Sequence, residues 1–285
     1  MGKKILVYLD SGTYPCPFDC LLAYDSGYDH IVNYHSVDGE KGVKIIQDVI
    51  FTRSEEDLKN TVFFIGGTDI KTAEKCFNEI KLFLLTSKMP QVSIIFDPNG
   101  IYTITASMLI NIKKKIKDIE DKKILVLGGT GSIGQCIAQL LAEKKAFVTI
   151  TSRSRDKLNG ILSVLDNKRI DGFVCECESD TRLISKRKDI IITTGPPGRT
   201  MIRKETIAKI NPSAVVDVSA IMPFGIENFN KTKDLTDLKK RFACIGGKDI
   251  WSLKNKIEKK ILNNVIKKRI IYDKTEILRF TGDKY

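Results

Sequence analysis

The segment that decides the fold spans residues 122–134 and reads KKILVLGGTGSIG. Its apolar run at 124–127 predicts a short strand that is buried on both faces of a sheet. Gly129, Gly131 and Gly134 follow with the spacing G-x-G-x-x-G, in which glycines form a tight turn, let backbone approach a pyrophosphate and pack a helix against the strand. Because an amphipathic segment and a second apolar run come next, we predict a Rossmann βαβ unit rather than an ordinary turn between strand and helix.

Composition limits the class of protein. The chain has 285 residues, of which 42% are hydrophobic, and this is enough for one large or two medium domains. Apolar runs are short, which excludes a transmembrane helix, and the first residues resemble a strand rather than a signal peptide, so a cytoplasmic protein is expected. The seven cysteines lack the spacing and the histidine partners of a metal site, and we interpret them as reduced thiols.

The formal net charge of +12 raises the question of a nucleic-acid partner. The basic residues are spread along predicted helices, as at 113–117 and 254–268, and acids such as Glu258 lie among them. We interpret these stretches as solvated, lysine-rich helix faces and expect neither nucleic acid nor a membrane as a partner. A weaker role for the positive field is to attract an anionic ligand such as a dinucleotide phosphate.

Strands and helices alternate along the chain, which predicts an α/β protein of two domains with mostly parallel sheets and a cleft between the domains. The strands of the first domain are predicted at 3–10, 30–35, 61–66 and 92–96. Those of the Rossmann domain are predicted at 124–127, 147–150, 171–175, 189–193, 214–218 and 242–245. Long helices are predicted at 101–118, leading into the second domain, and at 249–269, packing back on the first. The expected domains are 1–102 with 250–285, and 103–249.

The end of the second Rossmann strand indicates which dinucleotide binds. An NAD site needs an acidic residue there for the ribose 2′-hydroxyl, whereas this chain has Ser152, Arg153 and Arg155 and no acid at the strand end. These residues suit a 2′-phosphate, so NADP is favoured and NAD is left open as a weaker co-substrate. The alternative is that the basic residues are simply solvated.

The expected cofactor-binding residues belong to the glycine turn and to the strand ends that surround it in a Rossmann fold. They are Gly129, Thr130, Gly131, Ser132, Ile133, Gly134, Ser152, Arg153, Lys157, Thr194, Gly195 and Asp217. For Asp217 the alternative of a buried turn carboxylate stays open.

Several further segments resemble one family. They are YPCPFD (14–19), YDSGYDH (24–30), FTR (51–53), FIGGTD (64–69), DPNG (97–100), SR (152–153), PFGI (223–226) and the region of Leu253 and Lys254. With the glycine turn they resemble the NADP-dependent methylenetetrahydromethanopterin dehydrogenases of bacterial one-carbon metabolism, which are related to methylenetetrahydrofolate dehydrogenases. The resemblance spans nearly the whole chain, and its N-terminal segments are the specific ones.

The resemblance implies an N-terminal pterin-side domain completed by the C-terminal helix, a central NADP domain, and a homo-oligomer such as a trimer or hexamer. The catalytic residues that it implies are Lys254, Asp19 and Asp97. The substrate-binding residues are Phe18, Asp19, Asn99, Gly100 and Thr103. Because the stretch before the last helix aligns only with a gap, Lys256 and Lys248 remain alternatives to Lys254.

The implied reaction moves a hydride from the one-carbon bridge of the pterin to C4 of the nicotinamide and leaves a methenyl cation. No proton is abstracted, so the site needs no strong base; it must hold two rings face to face and tolerate positive charge. Carboxylates such as Asp19 and Asp97 suit the second task, while Lys254 orients the substrate. The structural alternatives are an Asx-turn for Asp97, a helix cap for Asp19 and a solvated lysine for Lys254.

Other functions remain open from the sequence. One is another NADP-dependent dehydrogenase of similar layout, folate-only or shikimate-like, although a shikimate-type enzyme needs a Lys–Asp pair in the first domain and the sequence shows no convincing one. Another is a non-catalytic NADP-binding redox sensor. The choice between methanopterin and folate depends on the shape of the pocket.

Overall fold

The computed structural model describes residues 2–175, 180–183, 187–196, 198–218 and 243–282. The chain divides into two compact units, unit 1 of Met1–Thr103 with Lys254–Lys284 and unit 2 of Ile104–Leu253. Sequence segment PFGI (223–226) lies outside the described residues. No described helix is long and apolar enough to cross a membrane, and the described residues contain no group of side chains arranged to hold a metal ion.

Eleven strands are present in the part of the chain that the structure describes. They are β1 (Ile5–Asp10), β2 (His30–Tyr34), β3 (Thr61–Gly66), β4 (Ser93–Phe96), β5 (Lys123–Leu127), β6 (Phe147–Ser152), β7 (Ile170–Val174), β8 (Ile190–Thr193), β9 (Ala214–Asp217), β10 (Ala243–Ile245) and β11 (Ile271–Tyr272). The α-helices are α1 (Pro17–Asp25), α2 (Gly39–Thr52), α3 (Glu55–Leu58), α4 (Ile70–Thr86), α5 (Ile101–Lys115), α6 (Ser132–Glu143), α7 (Arg155–Leu165), α8 (Lys204–Ile210), α9 (Gly247–Val265) and α10 (Lys274–Arg279).

Unit 1 is built on a five-stranded parallel sheet of order β11-β4-β3-β1-β2. The central strands β3 and β4 are buried along their whole length, because helices cover both faces of a parallel sheet. Helix α4 begins where the Asp69 carboxylate accepts the backbone N–H of Thr72, which is the side-chain cap expected of an aspartate at that position.

Unit 2 contains a six-stranded parallel sheet of order β10-β9-β8-β5-β6-β7. Numbered from its own first strand, this is the order 3-2-1-4-5-6 of a doubly wound Rossmann fold. Strands β5 and β8 are neighbours, and the strand order reverses between them, which is where such folds bind ligands. The predicted α/β class, with parallel sheets and a Rossmann unit, is confirmed.

The structure differs from the predicted elements mainly at the C-terminus. The helix predicted at 249–269 begins at Gly247 and ends at Val265, and the chain then adds β11 to the edge of the unit 1 sheet. A strand of two residues is too short to show a period-2 pattern, so the sequence could not reveal it. The predicted helix at 101–118 ends at Lys115.

The interpretation of 254–268 as a solvated face is wrong for two of its residues. Lys254 and Glu258 are each only 1% exposed. Both lie on the apolar side of α9, one turn apart, and in line with Ile250 and Ile261, which are fully buried. The charged side chains are therefore part of the interior of unit 1.

Candidate active site and cofactor pocket

The glycine turn after β5 has the close packing that the motif requires. Gly128, just before the motif, has φ +77° and makes the turn, where its carbonyl accepts the N–H of Gly131 at 3.0 Å. A Cβ on Gly129 would lie 2.5 Å from Cβ of Ile150, and one on Gly134 would lie 2.7 Å from the carbonyl oxygen of Gly128. The motif glycines therefore allow the turn to approach β6 and the helix α6 to approach the turn.

Replacing Gly134 by alanine is expected to lower the free energy of unfolding by about 1–3 kcal/mol and to weaken NADPH binding, because the new methyl group displaces backbone at the turn. Urea unfolding and NADPH fluorescence titration measure the two effects. The control is Gly160→Ala in α7, where nothing lies within 4 Å of the added methyl and stability should rise slightly. If Gly134→Ala and Gly160→Ala were equally stable and bound NADPH equally well, the close packing inferred for Gly134 would be contradicted.

A cavity of about 510 Å³ opens beside the glycine turn. Seven of the residues predicted to bind the cofactor line it, namely Thr130, Gly131, Ser152, Arg153, Lys157, Thr194 and Gly195. Of the other predicted residues, Gly129 and Gly134 pack the turn, while Ser132 and Ile133 belong to the first turn of α6. Asp217 is fully buried and accepts a hydrogen bond from Oγ1 of Thr193 at 2.9 Å, so it does not form part of the described cavity wall.

The charge of the cavity is positive. Arg153, Lys157 and Arg199 line it, and no acidic side chain does so among the described residues. Ser152 lies beside them, where its hydroxyl accepts hydrogen bonds from Oγ1 of Thr130 at 3.3 Å and from the N–H of Ser154 at 3.2 Å. The cavity therefore suits a dinucleotide that carries an additional phosphate. The sequence prediction missed Arg199, although its place in the loop after β8 was the available signal.

Unit 1 contains a separate cluster of buried ionisable side chains. Its members come from β1, α1, the end of β4 and α9 and are buried to at least 95%: Tyr8, Asp19, Asp97, Lys254 and Glu258. Nζ of Lys254 forms a short ion pair with Oε2 of Glu258 and lies 3.6 Å from Oδ1 of Asp19. The ammonium group also lies 4.5 Å from the centre of the Phe18 ring, and Phe18 as a residue is 39% exposed.

The Asp19 side chain bonds to strand β1 instead of capping its own helix, α1. Its Oδ2 accepts the phenol O–H of Tyr8 at 2.8 Å, and its Oδ1 faces Lys254. Burial, together with the negative charge of Asp19, raises the pKa of Tyr8 and keeps the phenol a neutral donor. Asp19 is thus held between a donor from β1 and a cation from α9.

Asp97 organises the beginning of α5. Its Oδ1 accepts the N–H of Tyr102 at 2.8 Å, and its Oδ2 accepts the hydroxyl of Thr103 at 2.6 Å. Asn99 has φ +52° and is exposed, and Gly100 has φ +65°, so the two residues form the bend between β4 and α5. The Asx-turn alternative is wrong for Asp97, because its carboxylate bonds to residues five and six positions later rather than to the N–H of Asn99. The carboxylate is instead fully buried as a member of the charged cluster.

Burial and charge shift the pKa values of the cluster. Burial lowers the pKa of Lys254, but the carboxylates of Glu258 and Asp19 outweigh it and raise that pKa above its ordinary value. Burial raises the pKa of Glu258 to about 8, with Lys254 acting in the opposite direction. Burial likewise raises the pKa of Asp97 to about 6, against the hydrogen bond from Thr103 and the charge of Lys254.

Asp97 is expected to make stability fall as the pH rises. Because its pKa is raised in the folded protein, the folded state keeps a proton that the unfolded chain releases, and the free energy of unfolding decreases by roughly 3 kcal/mol between about pH 4 and pH 6. In Asp97→Asn this decrease should disappear from urea titrations at a series of pH values. Asp69→Asn is the control of opposite sign, because the pKa of the exposed Asp69 cap is lowered.

The structure brings together five of the predicted residues of the pterin-side domain, namely Phe18, Asp19, Asp97, Thr103 and Lys254. The alternative lysines Lys248 and Lys256 are exposed. Tyr8 and Glu258 were missed. Glu258 had a signal, since it lies at i+4 from Lys254 and within the apolar stripe of α9.

The sequence shows no convincing Lys–Asp pair in the first domain, but the structure contains one. Lys254 and Asp19 form a buried pair at 3.6 Å, and they are 235 positions apart in the chain. No local pattern connects residues at such a separation.

Comparison with known proteins agrees with both units. Residues 17–99 match the family model described as methylene-tetrahydromethanopterin dehydrogenase, N-terminal, and residues 124–221 match the saccharopine dehydrogenase NADP binding domain. An NAD(P)-dependent methylenetetrahydromethanopterin dehydrogenase of Methylorubrum extorquens is 28% identical over 240 residues, covering 79% of each chain. The bifunctional protein MdtA of the same organism is 26% identical over 292 residues, covering 99% of each.

A solved structure shows the same fold. Shikimate dehydrogenase from Aquifex aeolicus superposes with a TM-score of 0.51 at 15% identity and covers 99% of this chain and 98% of its own. The Rossmann sheet, the positive cavity and the NADP-binding domain match define the protein as an NADP-dependent oxidoreductase. The match in unit 1 and the two relatives show that the chain is similar to methylenetetrahydromethanopterin dehydrogenases.

Proposed function

We propose that this protein transfers a hydride reversibly from the one-carbon bridge of methylene-tetrahydromethanopterin, or of methylene-tetrahydrofolate, to NADP, giving the methenyl form and NADPH. The observation that carries the proposal is the family match of residues 17–99, because this segment contains Phe18, Asp19 and Asp97, which surround the buried Lys254. The proposed pterin-side domain comprises residues 1–102 with 250–285, and the proposed NADP domain comprises residues 103–249.

Unit 2 has the groups needed to hold NADP. The first backbone N–H groups of α6 and the turn at Gly131 suit the pyrophosphate. Ser152, Arg153 and Lys157 suit the 2′-phosphate, which would otherwise be repelled by an acid at this position. When bound, NADP supplies the carbon atom that accepts the hydride.

Unit 1 has the groups needed for a substrate that becomes a cation. Asp19, Asp97 and Glu258 supply carboxyl groups in a buried setting, where charge interactions are strong. No proton leaves the substrate, so Lys254, which holds its own proton tightly, is suited to orienting the substrate rather than to acting as a base. The exposed Phe18 ring offers a flat apolar face for the pterin, and Asn99, Gly100 and Thr103 complete the proposed substrate-binding set.

Reduction of nicotinamide, followed by absorbance, tests the proposal. The purified protein is mixed with methylene-tetrahydromethanopterin or methylene-tetrahydrofolate and with NADP or NAD. Rapid formation of NADPH with either pterin supports the proposal, and the relative rates show which pterin is preferred. Shikimate is the comparison substrate because the Lys254–Asp19 pair is present. Turnover with shikimate alone would replace the proposal, and tight NADPH binding without any turnover would indicate a redox sensor.

We also propose that the protein is a cytoplasmic homo-oligomer, a trimer or hexamer, as the family resemblance implies. Light scattering coupled to size-exclusion chromatography measures the mass directly, and a 32.0 kDa species would contradict the proposed oligomer.

A further inference from the structure

Glu258 is a buried acidic residue to which the sequence assigned no role. It lies on α9, one turn after Lys254, and only 1% of it is exposed. Its Oε2 accepts a hydrogen bond from Nζ of Lys254. Its Oε1 is buried and has no hydrogen-bond partner among the described residues.

Stability does not explain this arrangement. Moving a carboxylate and an ammonium group from water into the interior costs about as much as their attraction returns, so apolar replacements of buried ion pairs are often neutral or stabilising. A buried oxygen without a partner costs roughly a further 1–3 kcal/mol. Charged groups that are retained at such a cost occur preferentially at functional sites, which directs attention to what Glu258 does for Lys254.

Glu258 determines where the Lys254 ammonium group lies. A lysine side chain has four rotatable carbon–carbon bonds and is fixed only by the contacts at its end. The ammonium group has a direct hydrogen bond to Glu258, whereas Asp19 is 3.6 Å away and the Phe18 ring centre is 4.5 Å away. Glu258 is therefore the residue whose direct hydrogen bond holds Lys254 beside Asp19 and Phe18.

The surrounding charges make the ionisation of Glu258 matter to a substrate that gains positive charge. Lys254 faces Glu258 from the same helix, Asp19 acts on it from α1 and Asp97 acts on it from the end of β4, while Tyr8 of β1 is bonded to Asp19. With one cation and three carboxyl groups in the cluster, an ionised Glu258 makes the net charge more negative. The negative charge stabilises the pterin more strongly as the hydride leaves than it does before, because the pterin then becomes positive. An interaction that strengthens on the way to the transition state accelerates the reaction.

We propose that Glu258 is a positioning residue for Lys254, and that its ionised carboxylate both holds the ammonium group beside Asp19 and favours the positive charge that forms on the bound pterin. This inference rests on the proposed function, because the growing cation is that of the methenyl product.

The kinetic test compares Glu258→Gln and Glu258→Asp with the unchanged protein from about pH 6 to about pH 9. The unchanged protein should show kcat rising with pH as Glu258 ionises. In Glu258→Gln the rise should be absent and kcat at the alkaline end about tenfold lower, with KM for NADP unchanged. Glu258→Asp should keep a rise, because it keeps an ionisable carboxyl. The matched control is Glu56→Gln, which removes the exposed pair of Glu56 with Lys59 and should leave the profile unchanged.

A second measurement does not depend on turnover. In protein with labelled lysine side chains, NMR can follow the titration of Lys254, whose signal is the one missing from Lys254→Met. Because Glu258 raises the pKa of Lys254, that pKa should fall in Glu258→Gln and stay unchanged in Glu56→Gln. A lysine that titrates identically in both variants overturns the inference.

The two measurements separate the possible failures. If the unchanged protein reduces NADP but Glu258→Gln keeps its kcat and pH profile, the inference is overturned while the proposed function stands. If neither pterin is oxidised, the proposed function fails, and with it the part of the inference that concerns the pterin cation. The NMR titration then still tests whether the Glu258 carboxylate acts directly on the Lys254 ammonium group.

Discussion

Lys254→Met is expected to lower kcat by at least about a hundredfold and the free energy of unfolding by roughly 3–5 kcal/mol. The stability loss arises because the buried carboxyl groups of Asp19 and Glu258 would both lose the cation that they contact. The kinetic loss arises because the variant lacks the ammonium group that we propose orients the substrate. NADPH formation and urea unfolding measure the two effects.

The double variant Lys254→Met/Glu258→Gln distinguishes a catalytic role from a structural one. Replacing Glu258 removes one of the two buried carboxyl groups that have lost their partner, so most of the stability should return, whereas turnover should stay low. Lys256→Met is the control on the same helix, since Lys256 is exposed and should affect neither quantity. Recovery of both stability and rate in the double variant would show that Lys254 is purely structural.

Arg153→Ala is expected to lower kcat/KM for NADP by about 10–100-fold, the value of one hydrogen bond between charged groups, and to leave kcat/KM for NAD nearly unchanged. The reason is that Arg153 lines the cavity next to Ser152, where the second Rossmann strand ends and only NADP carries a phosphate. Steady-state kinetics with NADP and with NAD measure kcat/KM for each nucleotide, and therefore the preference for NADP.

The control for Arg153 is Lys209→Ala, which removes an exposed positive charge on α8 of the same unit and should change neither value. Equal losses with NADP and NAD would show that Arg153 binds a part that the two nucleotides share, such as the adenine ring. Lys157 and Arg199 also line the cavity, so a residual preference for NADP is expected to remain.

The Rossmann unit of unit 2 could be predicted well because the residues that define it lie close together in the sequence. The strand, the glycine turn and the helix follow one another within residues 122–143, and the basic end of β6 comes only a few residues later. Burial on both faces gives each strand an unbroken apolar run, which is visible without knowing what it packs against.

The buried cluster in unit 1 could be predicted only in part, because its residues are far apart in the sequence. Asp19 and Asp97 stand in recognisable segments, but their partner Lys254 approaches them only when α9 packs on unit 1. Glu258 was predicted to be exposed because a lysine-rich helix is normally solvated. Its position within the apolar stripe of α9 indicated instead that it is buried. The pairing of β11 with β4 joins residues 177 positions apart and has no sequence pattern of its own.

The path of the chain through unit 1 has a consequence for synthesis on the ribosome. The first 103 residues emerge before unit 2, but the lysine and glutamate of α9 and the edge strand β11 emerge only after all of unit 2. Domains normally fold as they leave the ribosome, so the nascent chain can complete its dinucleotide-binding sheet first. At that stage Asp19 and Asp97 of unit 1 are already synthesised, but Lys254 is not. A stop codon in place of the Lys254 codon would therefore remove the lysine and glutamate of the buried cluster and β11, and would leave the strands of the dinucleotide-binding sheet in the chain.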